Sequence, residues 1–291
     1  MFRDIAACRY DVQAIAGMNI LCCQQPGGSS PTSRGSKMIK AIVNLNIVLG
    51  LVMFSYNLAA QQSVPDISTQ VKQAMASNIR TDDDRLADTY RTPAEVLAFF
   101  GLGNDMRVME LIPGGGYFTK ILGPVLAEKG KLFLGAEGEA VAKNLSEWGL
   151  TKVEVLDDKF EMTKGEKRGY NGVVDFAFPV KDLDMALTFR NMHNMSPEGR
   201  KKLNTAVFNA LKPGGIYGVV DHTRRHMEPY IEERWRRVDP VALIKEMQDI
   251  GFEFVDYSEV YYRPHDELKL DSTNPALNRN SDNFALKFRK P

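Results

Sequence analysis

From residue 107 onward the chain alternates two hydrophobic periods. Short apolar runs at 107–111, 131–136, 152–156, 185–189, 216–220, 253–262 and 284–289 read as strands. Between them apolar positions recur every three or four residues at 117–129, 140–148, 197–211 and 240–250, which is helical spacing, and a shorter helix is placed near Lys181. Ser196 and Asp239 stand where N-caps belong, and Gly251 stands where the last helix should stop. Strands and helices alternating through short connections predict an α/β fold, a doubly wound and mostly parallel sheet. No helix fits between the last two strands, which predicts an antiparallel edge, and the Asn-, Asp- and Pro-rich stretch 264–282 reads as a loop joining them. Ahead of the sheet, "TPAEVLAFFGLG" predicts a helix with Thr92 as N-cap, Pro93 at the first position, Glu95 closing a capping box and Gly101 as the stop. Residues 61–91 are polar and helix-prone, with the acidic turn "TDDDR" in their middle.

The first sixty residues follow neither period. Residues 1–37 end in the turn-rich "PGGSSPTSRGSK" and read as a disordered or upstream extension. Residues 38–60 have the layout of a secretory signal peptide: Lys40, an apolar stretch, then Leu58-Ala59-Ala60 as a cleavage site. This predicts an exported, periplasmic protein beginning near Gln61, with no stable membrane insertion. The competing reading is a membrane anchor over residues 41–58, barely long enough to span and weakened by Asn44, Asn46 and Asn57. Cys8, Cys22 and Cys23 all precede Met38, so a product starting at Met38 has no thiol for a disulfide or a metal site. The remaining 92–291 is the candidate catalytic domain. Formal charge over all 291 residues is zero, which removes any global attraction to nucleic acid, and the basic run "RWRR" behind Glu232 and Glu233 reads as a solvated face.

One segment carries more than a fold signal. In "VMELIPGGGYFTKIL", starting at Val108, an apolar strand runs into three glycines and then a helix start. Glycine lets backbone approach a ligand that meets the free N–H groups of the helix. Close strand–helix packing demands glycine equally, so both readings stand on composition. A dinucleotide fingerprint would need a third glycine where Thr119 stands, and no Gly-Lys-Ser/Thr follows as a phosphate loop requires.

Four ordered motifs, "RLADTYRTPAEVLAFFG", "PGGGYFTKIL", "TFRNMHNM" and "LKPGGIYGVVDH", make the chain from Asp84 onward resemble the class I S-adenosylmethionine-dependent methyltransferases. The nearest likeness is to a branch of predicted, often exported members. The resemblance implies a Rossmann-like seven-stranded sheet with an antiparallel last strand and S-adenosyl-L-methionine as cofactor. The family's acid-x-Gly-x-Gly-x-Gly motif matches Glu110 through Gly116, with Gly114 and Gly116 approaching the cofactor and Ile112 replacing the first glycine. Glu137, with Glu139 as its competitor, matches the acid that accepts from the ribose hydroxyls. Asp158, or its neighbour Asp157, matches the acid near the adenine.

Ligands of such sheets sit beyond the carboxyl ends of the strands. Two polar clusters fall there, "RNMHN" after the fourth strand and "DHTRRH" after the fifth. Methyl transfer needs an acceptor held in line and, for an O or N nucleophile, a base, which makes His193 and His222 the catalytic candidates. Each has a structural alternative as a loop or core imidazole. A metal cluster of His193, Asp221, His222 and His226 would need a helical segment there, so no metal is assigned. Arg91 and Arg190 are expected to pair with Asp84 and Asp88, the alternative being an anionic substrate. A small-molecule acceptor follows by elimination, and the alternative class is an exported binding protein that kept the fold without the chemistry.

Overall fold

The computed structural model describes residues 66–291; the extension, signal, anchor and cysteine readings concern residues outside that range. Three helices come first: α1 (Ile67–Met75), α2 (Asp82–Arg91) and α3 (Pro93–Phe100). The alternating part follows as β1 (Arg107–Leu111), α4 (Thr119–Leu126), β2 (Lys131–Gly135), α5 (Glu139–Leu145) and β3 (Glu154–Val155). It continues through β4 (Met162–Thr163), β5 (Gly172–Val173), β6 (Leu183–Phe189), α6 (Pro197–Ala210), β7 (Leu211–His222), α7 (Pro240–Ile250), β8 (Glu253–Ser258) and β9 (Asn283–Arg289). Seven strands make one sheet in the order β3-β2-β1-β6-β7-β9-β8, all parallel except β9. This is the Rossmann-like methyltransferase fold, doubly wound, with an antiparallel last strand and added N-terminal helices.

Period-two alternation assigns each strand residue to a face. In β1, Met109 and Leu111 join α6 and α7 in one core, whereas Val108 joins α3, α4 and α5 in the other. Each of these three strand side chains is at most 1% exposed, so the sheet is buried on both faces, as parallel strands require.

The antiparallel strand is not the edge. β9 inserts between β7 and β8, pairing antiparallel with both. The reason is its composition: Phe284, Ala285, Leu286 and Phe288 are all buried, whereas β8 leaves Val255 and Tyr257 exposed and takes the margin. Likewise no helix forms at Lys181. Around Pro179 the chain alternates with period two, burying Phe178 and Val180 against the sheet, and the neighbouring β4 and β5 pair antiparallel.

The capping box sits one helix earlier than predicted. Thr81 accepts from the Asp84 N–H, and Asp84 accepts from the Thr81 N–H, at the start of α2. Thr92 ends α2 in a left-handed conformation (φ 35°) and makes no side-chain cap to α3. Ser196 and Asp239 cap α6 and α7 as expected.

A polar knot ties α2 to the rest. Arg80, fully buried, donates to both oxygens of Asp88 at 2.8 and 2.5 Å and to the Met75 and Asp84 carbonyls. Asp88 also accepts from the Tyr117 hydroxyl at 2.5 Å, and Asp84 pairs with Lys120 of α4. The α2 C-terminus is thereby fixed beside the turn that follows β1.

Candidate functional site

The parallel strands wind outward in opposite directions from β1 and β6, the switch point at which ligands of such sheets bind. A cavity of about 480 Å³ lies there, lined among others by Tyr90 and Arg91 of α2, Ile112 to Gly115 after β1, and Phe189 to Asn191 after β6. A second chamber of about 280 Å³ adjoins it and contains His222, Ser272, Thr273 and Ser281. Tyr90, Arg190 and Arg279 line both. The loop between β8 and β9 thus contributes Arg279 to both chambers and Ser272, Thr273 and Ser281 to the second. It is held down by Arg237, buried, which donates to Asp266 at 2.8 Å and to the Leu270 and Thr223 carbonyls.

The glycine turn divides its labour. A Cβ on Gly114 or Gly115 would meet nothing within 4 Å, because both face the open cleft. No acceptor among the described residues takes the N–H of either one. Gly116 is different: its Cβ would lie 2.6 Å from the Trp148 ring, and it is Gly114 and Gly115, not Gly116, that line the cavity. Ile112 stands where the resemblance implies the motif's first glycine. Its φ is 50°, left-handed and unusual for a β-branched residue. The strain is held by its neighbours: its N–H donates to the Gly135 and Ala136 carbonyls, and Asn191 donates to the Leu111 and Ile112 carbonyls.

Glu110 does not reach the cleft. It is buried beneath the turn, accepts from the Thr119 hydroxyl at 2.7 Å, and burial pushes its carboxyl up to about 8. Its place is to fix the start of α4. Glu137 stands exposed at the carboxyl end of β2, where φ values of 50° at Ala136 and 66° at Glu137 turn the chain away. Burial of its neighbourhood and the nearby Glu139 raise its pKa. Asp158 is turned inward, accepting from the Ala136 N–H at 2.7 Å and the Phe160 N–H at 3.0 Å, and so stitches the end of β2 to the segment after β3. Asp157 is exposed and pairs with Lys159.

The two histidines part company. His193 is held at both ends by the fully buried Asp221, which accepts from its backbone N–H at 3.0 Å and bonds its Nδ1 at 2.7 Å. It lines neither chamber. His222 does line the second chamber, with Nδ1 3.0 Å from the Ser281 hydroxyl. Burial and the cationic Arg190 hold its pKa well below the ordinary value, so it is a neutral imidazole at neutral pH. His226 pairs with Asp239 at 2.9 Å instead of joining the others. Among the described residues no group of three or more His, Cys, Asp or Glu is arranged to hold a metal.

The expected ion pairs of Arg91 and Arg190 do not form. Asp88 is taken by Arg80 and Asp84 by Lys120, two cations that the sequence does not mark as their partners. Arg80 stands in the sequence as one basic residue in a polar segment; its burial comes from the Met75 carbonyl, Asp84 and Asp88 of α2 and the Tyr117 ring, which only the fold brings around it.

No protein-family model and no curated protein matches the chain. Similar solved structures include a SAM-dependent methyltransferase from Aquifex aeolicus, 19% identical, covering 67% of this chain and 88% of that one with TM-score 0.46. Another is an S-adenosylmethionine-dependent methyltransferase from Mesorhizobium loti, 14% identical over 68% and 97% with TM-score 0.45. A third is the cyclase SpnF, 17% identical over 69% and 80% with TM-score 0.48. These likenesses concern the fold alone, and function is argued from the cleft.

Proposed function

We propose that this chain is an S-adenosylmethionine-dependent methyltransferase acting on a small-molecule acceptor. The observation that carries the reading is the open turn: Gly114 and Gly115, without side chains and with unengaged N–H groups, face a cleft at the β1/β6 switch point. Such a cradle accepts polar ligand atoms at the start of α4. The carboxylate of Glu137, exposed at the end of the next strand, is free to accept from two vicinal hydroxyls, which fits the ribose of the cofactor. When bound, S-adenosylmethionine supplies an electrophilic methyl group on a sulfonium.

The chain's own contribution is to orient the acceptor and to take its proton. His222 is suited to the second task, since it is neutral, lines the acceptor-sized chamber and is oriented by Ser281. His193 acts as a positioning residue, tying the loop after β6 to β7 through Asp221. Mass spectrometry of small molecules released from freshly purified protein tests the reading. S-adenosylmethionine or S-adenosylhomocysteine is expected; recovery of a nicotinamide dinucleotide in their place would refute it.

A further inference from the structure

Buried arginines elsewhere in this protein meet carboxylates. Arg80, Arg200 and Arg237 each have a carboxylate oxygen between 2.5 and 2.8 Å away. Around the cleft, where Arg91 and Arg190 are half-buried and Arg279 is exposed, the pattern differs. Arg91, Arg190 and Arg279 converge on one space, and no described carboxylate lies within ion-pairing distance of any of them. Of the acids nearby, Asp84 pairs with Lys120, Asp221 is held by His193 and by the His222 N–H, and Glu110 lies buried beneath the turn on the Thr119 hydroxyl; Asp83 lines the same cavity but is exposed and forms no ion pair with the three arginines.

The cations are nevertheless held in place. Arg190 is the first residue after β6, has φ 66°, and donates its N–H to the Val220 carbonyl at 2.7 Å. Its guanidinium lies 5.7 Å from the centre of the Tyr90 ring, and that of Arg279 lies 5.9 Å from it while donating to the Tyr90 hydroxyl at 3.4 Å. Arg91 packs over Tyr117 at 4.6 Å, with its Nε buried and unpartnered. Burial and the charge of Arg91 push Arg190 down to about 10, the sign of a guanidinium short of counter-charge. Uncompensated cations that are ordered and aimed into a cavity cost stability, and a planar guanidinium fork matches the two oxygens of a carboxylate or phosphate.

Resting on the reading of the cleft as a methyltransferase site, we infer that the methyl acceptor carries an oxyanion, a carboxylate or phosphate, seated against Arg190 and Arg279 in the chamber that holds His222. These two arginines belong to both chambers, whereas Arg91 belongs only to the one with the glycine turn. An acceptor anchored by its anion at that boundary places its nucleophile between His222 and the glycine turn. The cofactor's own carboxylate is the other source of such an anion, and the test separates them.

Full-length wild type, Arg279→Gln and Arg190→Gln are compared in two titrations. One follows thermal unfolding against inorganic phosphate at constant ionic strength made up with chloride; the other measures S-adenosylhomocysteine affinity by calorimetry. Expected are stabilisation of the wild type by phosphate and at least a tenfold weaker phosphate affinity in each variant, with S-adenosylhomocysteine affinity changed less than threefold. Arg279 is exposed, so its variant reads the site even where Arg190→Gln is destabilised. Phosphate binding that is absent from the wild type or unaltered in Arg279→Gln overturns the inference. A tenfold loss of S-adenosylhomocysteine affinity in both variants also overturns it, by assigning the arginines to the cofactor. Arginine-dependent phosphate binding by a wild type that ignores S-adenosylhomocysteine would uphold the anion site and defeat the methyltransferase reading instead.

Discussion

Three residues beneath and beside the cleft make opposite demands on pH and strain. Glu110 has a folded pKa raised to about 8, so it is protonated in the folded state across the interval in which the unfolded chain has lost the proton. Its contribution is therefore fully present at acid pH and is lost as pH rises towards and through about 8. Glu110→Gln should leave stability near pH 4 almost unaltered and raise it at pH 9 by a few kcal/mol, as read by urea denaturation, since each tenfold difference in proton affinity between the folded and unfolded chain is worth about 1.4 kcal/mol. His222 runs the other way. Its folded pKa is depressed, so its contribution is complete above the ordinary histidine value and is lost as pH falls below it, where the unfolded chain takes up a proton that the folded one refuses. His222→Gln should flatten the loss of stability between pH 7 and 5; an unaltered pH profile would contradict the buried neutral imidazole. Ile112 carries strain of about 1–3 kcal/mol at φ 50° and about as much apolar burial. Replacement by glycine removes both, so the unfolding midpoint of Ile112→Gly should stay within several degrees of wild type, and a collapse of stability would argue against the left-handed turn.

At the scale of elements, legibility followed how local the cause was. The β1 span, the caps at Ser196 and Asp239 and the stop at Gly251 came directly from residue spacing, because each depends on a few neighbouring residues. The order of the last two strands was not local: it depends on which one buries both faces, a property of the sheet. Within the site, the glycine turn was legible, but which glycine faces the open cleft and which packs on Trp148 needed the position of α5 and the segment after it. The cationic cleft was hidden for a similar reason, since only the knot of Arg80 with Asp88 reveals that Arg91 is left unpaired. That knot gives an element-scale prediction. Arg80→Ala leaves Asp88 without its buried partner and should cost about 3–5 kcal/mol by urea denaturation; a cost below about 1 kcal/mol would mean that α2 is not held by this pair.

For the whole molecule, the doubly wound sheet supplies the switch point, α2 and the loop before β9 supply the walls, and the glycine turn supplies the cradle. We further propose that the chain is exported with cleavage near Gln61, on the basis of Lys40, the apolar stretch and Ala59-Ala60. N-terminal sequencing of native protein should find a start near Gln61, and an intact Met38 would contradict cleavage. Among the described residues no helix is long and apolar enough to cross a membrane. The central claim is that the cleft at the β1/β6 junction holds S-adenosylmethionine through its open turn, and Gly115 gives the cleanest access to it. A Cβ there meets no heavy atom within 4 Å and opens on the cleft, so Gly115→Leu should fold as wild type does. Calorimetric titration of wild type and Gly115→Leu with S-adenosylhomocysteine is the most direct test. The account predicts saturable binding by the wild type and a loss of at least tenfold in affinity for the variant at unaltered thermal stability; a folded wild type that gives no binding signal, or a variant that binds equally well, would contradict it.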